Sequence, residues 1–411
     1  MSEVIVGKVT GGSVSVDCRR SVERTCELTL VDLDGSIAEA LSVGGKELSI
    51  ERNGTLLGIF GSFSVDSSND KVVTVSGSDR SERISAATFE TPWILGARGA
   101  HGWLDSVAAI LIDRMPSVSI GFAHSAVPAY VAPAGYTADP ITFTGDPWET
   151  CRKLARADGF RLYFDANGVV QVSPWADVLT APVVSFGVDD DAVVSKATVK
   201  TSLDGVYNGI AVSYTVGGGG ASQTVIVHDD VSNSPTSRAK IGSRTTAYTL
   251  PAYATHAEAT VAGNALIVEY RGRHLSAAWS QICNTSLGVN QVVDVSSVCD
   301  VGAMVRIESI TYPLDDTLLM TVNGGDDAGV SMADIANMFK RTVTSIVNNT
   351  AYNGDTYSGP GGGGGLYLAT VVSREGAYLT IDVNGTHVSV VAYLLSYGPQ
   401  VGDTVVVGPV G

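Results

Sequence analysis

Short runs of alternating apolar and polar residues, closed by turn formers, constrain this chain more than any other feature. In its first stretch they read "EVIVGKV", "SVSVDC", "CELTLVD", "GKELSIER", "LGIFGSFSVD" and "KVVTVSGSD", with turn signals at Asp32-Leu33-Asp34-Gly35, Asn53-Gly54 and Asn69-Asp70. A period of two puts one set of side chains on each face of a strand, and Asn-Gly supplies the left-handed backbone that a tight hairpin needs. Strands this close, with hairpin signals between them, predict an antiparallel sandwich or barrel over residues 1–88.

The texture changes after Phe89. Leu104, Val107, Ala108 and Leu111 recur at helical spacing between Trp103 and Arg114, and Pro116 stops the pattern. In "GDPWETCRKLARADGF" Asp146 is placed as an N-cap, Pro147 at the first helical position, Glu149 as the partner in a capping box, and Gly159 at the end. "FRLYFD", Ala166-Asn167-Gly168 and "VVQVSPW" follow, so residues 89–181 are expected to form a small α+β domain. Strand patterns return over 182–325, with one helix between Thr255 and Glu269. Met332 to Val347 carries Ile335, Phe339, Val343 and Ile346 along one amphipathic stripe, and the run Gly361–Gly365 reads as a flexible tether within 326–365. Beyond it, residues 366–411 hold four or five short strands, the pattern of a small OB-like barrel. The expected fold class is thus mainly β with an α+β insertion.

The net charge is −16 over 411 residues, which argues against a surface that grips phosphate backbones. Met115 to Ala138 lacks charge, but Pro116, Pro128, Pro133 and Gly135 would break a spanning helix; no membrane segment and no signal peptide are expected. The six histidines, His101, His124, His228, His256, His274 and His387, show no paired-ligand spacing, so no metal site and no cofactor is expected. His228-Asp229-Asp230 reads as a solvated turn, Asp32-Leu33-Asp34-Gly35 as a hairpin turn, and Asp189-Asp190-Asp191 lacks the pattern of a calcium loop. Gly217–Gly220 is a hairpin tip, since no GK[ST] follows. Cys18, Cys26, Cys151, Cys283 and Cys299 contain no CxxC; Cys151 lies on the apolar stripe of its helix, which favours burial over catalysis. No catalytic residue is assigned.

Several phrases in order resemble the hub proteins at the tail tip of long-tailed bacteriophages, the tail-associated or minor tail proteins related to the baseplate hub of contractile phages. They are "CELTLVDLDG", "LGIFGSFSVD" leading to "VTVSGSDRSERI", "DPWETCRKLARADGFRLYFDANGVVQV", "GVYNGIAVSY", "HDDVSNSPTSRAKIGSRT" and "IESITYPLDDTLLMTV". The resemblance implies two tube-protein-like β domains per chain, at 1–88 and 182–325, in a homotrimer whose six such domains dock on a sixfold tail. It also implies a place at the virion tail tip after synthesis in the bacterial host cytoplasm. The implied partners are distal tail, tail tube and tape-measure proteins and tail fibre or receptor-binding proteins, with DNA only in transit. The Ile335, Phe339, Val343, Ile346 stripe then either folds back on its own domain or meets two other copies at the threefold axis. Two alternatives to the hub remain: a carbohydrate-binding module with Tyr367, Tyr378, Tyr393 and Tyr397 as stacking faces, and a cryptic wall hydrolase.

Overall fold

The computed structural model describes residues 8–42, 46–67, 71–128, 141–186, 198–216, 222–296, 304–314 and 319–325, and then 367–375, 378–383, 386–392 and 404–407. The chain divides into two units, Met1–Met332 and Ala333–Gly411.

In the first unit β1 (Lys8–Asp17) and β2 (Arg24–Val31) form an antiparallel hairpin. Helix α1 (Ser36–Ser42) follows, and then β3 (Leu48–Arg52), β4 (Thr55–Ser67) and β5 (Val72–Asp79). Asn53 and Gly54 have φ of +50° and +77°, so the β3–β4 connection is the two-residue turn that its sequence predicts. The Asp32–Gly35 segment does not close a hairpin as expected. The Asp32 carboxylate accepts the amides of Ile37 and Ala38, and the segment opens α1 instead.

Helix α2 (Arg80–Ala86), strand β6 (Trp93–Ile94) and α3 (Leu104–Arg114) lead to β7 (Ser119–Ile120), β8 (Thr142–Phe143) and α4 (Pro147–Ala157). At α4 the Asp146 side chain accepts the amide of Glu149 and Pro147 occupies the first turn, while Gly159 takes φ +87° beyond the end. The Glu149 carboxylate pairs with Arg152 at 3.3 Å rather than closing a capping box. The complete box belongs to α6 (His256–Arg271), where Thr255 and Glu258 satisfy each other's amides.

Between α4 and α6 come β9 (Arg161–Phe164), β10 (Val169–Ser173), β11 (Val184–Ser185) and β12 (Thr198–Thr201). After them run β13 (Gly209–Thr215), β14 (Ser222–His228), α5 (Arg238–Ile241) and β15 (Thr245–Tyr253). Past α6 the unit is completed by β16 (Leu275–Ile282), β17 (Val292–Asp294), β18 (Met304–Pro313) and β19 (Leu319–Gly324).

The blocks 1–88 and 182–325 are not separate sheets. The order β12-β16-β19-β18-β1-β2-β5-β4-β3 runs through both, with β17 also on β18 and β11 on β17. The seam is β1 against β18, in register from Ser13↔Pro313 to Asp17↔Ser309. Under one face lies a core of Val14, Val16, Leu28, Leu30, Phe60, Val73 and Val75 from the first block, continuous with Trp279, Val305, Ile307, Ile310 and Val322 from the third.

Block 182–325 also fails to share one core. Its β14-β13-β15 sheet and α6 pack with α3 and α4 of the insertion, in a second core that joins Ile210, Val212, Tyr214, Ala262 and Leu266 to Val107, Leu111, Trp148, Cys151 and Leu154. The reason is geometric. α6 lies on β13 and β14 through Gly263, where a Cβ would stand 2.5 Å from Val227 Cγ2, so helix and sheet close on each other and expose a further apolar flank to α4.

The second unit holds β20 (Tyr367–Glu375), β21 (Tyr378–Val383), β22 (Thr386–Ala392) and β23 (Thr404–Val407). They form a four-stranded antiparallel sheet in the order β22-β21-β20-β23. The Ile335, Phe339, Val343, Ile346 stripe, the glycine run and Gly217–Gly220 lie outside the described residues, as do Asp189–Asp191 and Cys299.

Candidate functional site

Alternation along each strand decides which residues the long sheet presents away from its core. Val14, Val16, Cys26, Leu28, Val73 and Val75 point in, so Ser13, Ser15, Thr25, Glu27, Ser76 and Ser78 point out. Register then lines these outward residues up. Ser280 pairs with Thr321, Thr321 with Thr311, Thr311 with Ser15, Ser15 with Thr25, Thr25 with Ser78, and Ser78 with Ser62. One row of hydroxyl residues therefore crosses seven strands, about 29 Å at the usual strand spacing, half-buried along most of its length and buried at Thr321, which is 2% exposed. The Ser15 and Thr311 hydroxyls meet at 3.1 Å on the seam itself.

Beside this row runs a second, Ser13-Glu27-Ser76-Ser64. Over β1, β2, β5 and β4 the two rows line a groove of about 620 Å³, with Glu27 and Glu82 as its charged residues. Seven hydroxyls and two carboxylates, with Phe63 beside them, make a weakly acidic surface with no cation in its lining to hold a phosphate. Sequence reasoning missed it. The Ser/Thr alternation of each strand was visible, but the β1–β18 pairing that makes the rows continuous joins residues almost three hundred positions apart.

A buried ionic clasp ties the end of β14 to the end of α6. Asp229, expected in a solvated turn, is 1% exposed. Its carboxylate accepts from Arg271 Nη2 at 2.8 Å, Ser234 Oγ at 2.5 Å and Thr236 Oγ1 at 2.8 Å. Burial pushes this carboxyl up, but the bonds from Arg271, Ser234 and Thr236 outweigh it and hold the group below its usual range. Arg271 also pairs with Asp177. Only Asp230 of the motif is exposed, paired with Arg238 at 2.8 Å.

From the sheet side, Arg306 on β18 is buried against the Trp175 ring at 4.8 Å and donates to the carbonyls of Val268 and Glu269 in the last turn of α6. A cation suits a helix C-terminus, and Gly272 leaves room for it, since a Cβ there would stand 2.6 Å from the guanidinium carbon. A third tie is Glu23, buried after the β1–β2 turn, which accepts from Arg161 Nη2 at 2.5 Å. Burial pushes its carboxyl up to about 7 despite that partner. Trp148 completes the docking: its indole donates to Ser21 O at 2.8 Å and its ring stacks on Phe164.

Cys151 is fully buried, with Sγ 3.8 Å from Val107 O, and burial pushes its thiol far up. Cys18 and Cys26 are free and buried, each pushed up to about 12 by burial. His101, Asp105 and Ser125 come together, but the Asp105 carboxylate and the Ser125 hydroxyl both meet the same ring atom, His101 Nδ1, each at 3.1 Å. A relay needs the two groups on opposite ring nitrogens. Tyr367 and Tyr378 do not adjoin: Tyr367 begins β20, whereas Tyr378 pairs with Glu375 at its other end, about 26 Å away at the usual rise per residue. Tyr393 and Tyr397 lie outside the described residues. Among the described residues no group of three His, Cys, Asp or Glu side chains is arranged to hold a metal, and no helix is long and apolar enough to cross a membrane.

The mainly β architecture, with its helical core clasped to a long sheet, defines a class: its fold is that of phage and prophage tail proteins. The chain is similar to the tail protein from Neisseria meningitidis MC58, at 13% identity and a TM-score of 0.53, over 80% of this chain and 94% of that one. It is likewise similar to the 43 kDa tail protein of prophage MuSo2 from Shewanella oneidensis, at 14% identity and a TM-score of 0.52, over 77% of this chain and 94% of that one. No family model matches the chain, and no curated protein matches its sequence.

Proposed function

We propose that this chain is a structural subunit of a virion tail, the homotrimeric hub of its tip, without enzymatic activity. The observation that carries the reading is the shared fold with two tail proteins over nearly their whole length. Three copies would each contribute the two halves of the long sheet, β1–β5 and β12 with β16–β19, as the tube-like domains that adapt a sixfold tail to a threefold tip. The hydroxyl rows supply the face that borders the passage. Ser, Thr and Glu keep a hydration layer and repel phosphate, so DNA in transit meets no cation in the groove lining. The Ile335, Phe339, Val343, Ile346 stripe would close the passage below the ring, and distal tail, tube, tape-measure and fibre proteins would be the neighbours.

Sedimentation equilibrium of the full-length protein tests the assembly. A mass of three chains is expected, and a monomer at tens of micromolar would overturn the reading.

A further inference from the structure

Sheet edges carry unpaired backbone donors and acceptors, and proteins guard them with charge, proline, irregular register or brevity. Most edges in the described residues are guarded in one of these ways. β3 ends in Glu51-Arg52 and shifts register at Ile50/Glu51. β12 is four residues long and includes Lys200. β15 contains Pro251 and shifts against β13. β22 shifts at Leu379/Thr380, β23 and β9 have four residues each, and β6, β7, β8 and β11 have two.

β14 is different. Ser222-Gln223-Thr224-Val225-Ile226-Val227-His228 holds no Asp, Glu, Lys, Arg or Pro, and pairs with β13 through seven residues without a shift. Among the described residues β13 is its one strand neighbour. Ser222, Gln223 and Thr224 are exposed, and Ile226 is 54% exposed.

We propose that β14 is a strand-addition site that receives an extended, uncharged segment of another polypeptide. The alternation of β14 sets the chemistry of that segment. Val225 and Val227 join the core beneath α6, while Thr224 and Ile226 lie on the opposite face. An added strand therefore places apolar residues on the α6 side and hydroxyl or small apolar residues on the other, the pattern that β13 already shows in Ile210, Val212 and Tyr214 against Ala211, Ser213 and Thr215. A charged segment is disfavoured, because β14 offers no countercharge. A second copy of this chain is not the occupant: among the described residues its long edges are guarded except β14 itself, and β14 on β14 would join copies head to head about a twofold axis. That last exclusion rests on the threefold tip proposed above.

The probe is a synthetic peptide with the β13 sequence, GIAVSYT, added to the full-length protein and followed by hydrogen exchange. Exchange of the β14 amides that face away from β13 is expected to slow about tenfold. Ile226→Lys and, as a variant at an exposed position, Thr224→Lys are expected to abolish the slowing while circular dichroism stays unchanged. No slowing at millimolar peptide, or slowing that survives both variants, overturns the proposal. Dimerisation of the protein alone, lost in Thr224→Lys, assigns the edge to a second copy and equally overturns it. Sedimentation of the same samples separates the two readings: peptide capture by a monomer retains the strand-addition site while the trimeric hub fails.

Discussion

The two cores of the first unit are stabilised in different ways. Beneath the long sheet, Val14, Leu28, Val75, Ile310 and Val322 meet face to face, a core built by alternation and needing no charge at its centre. Around α3, α4 and α6 the apolar contacts are bordered by the buried pair Asp229 with Arg271, by buried Glu269 paired with half-exposed Arg156, and by a close approach at Gly263. The sheet core thus tolerates loss of one contact locally. The helical core depends on groups that are costly to leave unpaired, since a buried charge without its partner loses both its solvation and its attraction.

The largest effect is expected at the clasp. Asp229→Ala leaves the Arg271 guanidinium short of its buried partner and should cost about 3–5 kcal/mol. Hydrogen exchange should show α6 and β13 opening before β2 and β5; equal acceleration in both regions would erase the distinction between the cores. Leu28→Ala reverses the comparison, removing a buried side chain from the sheet core for about 3 kcal/mol, with β2 and β5 opening first. Urea titration of either variant supplies the energy.

A smaller effect concerns pH. The Glu23 carboxyl is raised from 4.5 to about 7, so the folded protein holds this proton more tightly than the unfolded chain. Its contribution is fully present below about 4.5 and is lost as pH rises through 7, amounting to about 1–3 kcal/mol. Glu23→Gln should flatten this part of the stability–pH curve, and an unchanged slope between pH 5 and 8 would contradict it. The smallest effect is on the open face. Ser64→Ala and Ser76→Ala, both exposed, should each change stability by less than about 0.5 kcal/mol. A loss above 1 kcal/mol would show that the hydroxyl rows support the fold rather than only facing solvent.

What was legible in the sequence was local. Asn53-Gly54, the Asp146-Pro147 helix start, the burial of Cys151 and most strands follow from backbone preference and period, which act over a few residues. The first helix was misread at Asp32–Gly35 because an Asx cap and a hairpin turn draw on the same residue types. Asp229 was misread for a related reason: a carboxylate after a strand looks solvated until Arg271, forty-two positions on, is brought to it.

The sequence by itself determined the mainly β class, the α+β insertion and the chemistry of each strand face, because side-chain alternation and capping are properties of neighbouring residues. Tertiary structure alone decided that β1 joins β18, that β13–β15 and α6 desert their sequence block for the insertion, and that seven separate hydroxyls form one row. Those outcomes depend on which apolar faces can close on each other and which charges must be paired when they do. Both are settled between segments far apart in the chain, where no local pattern reaches.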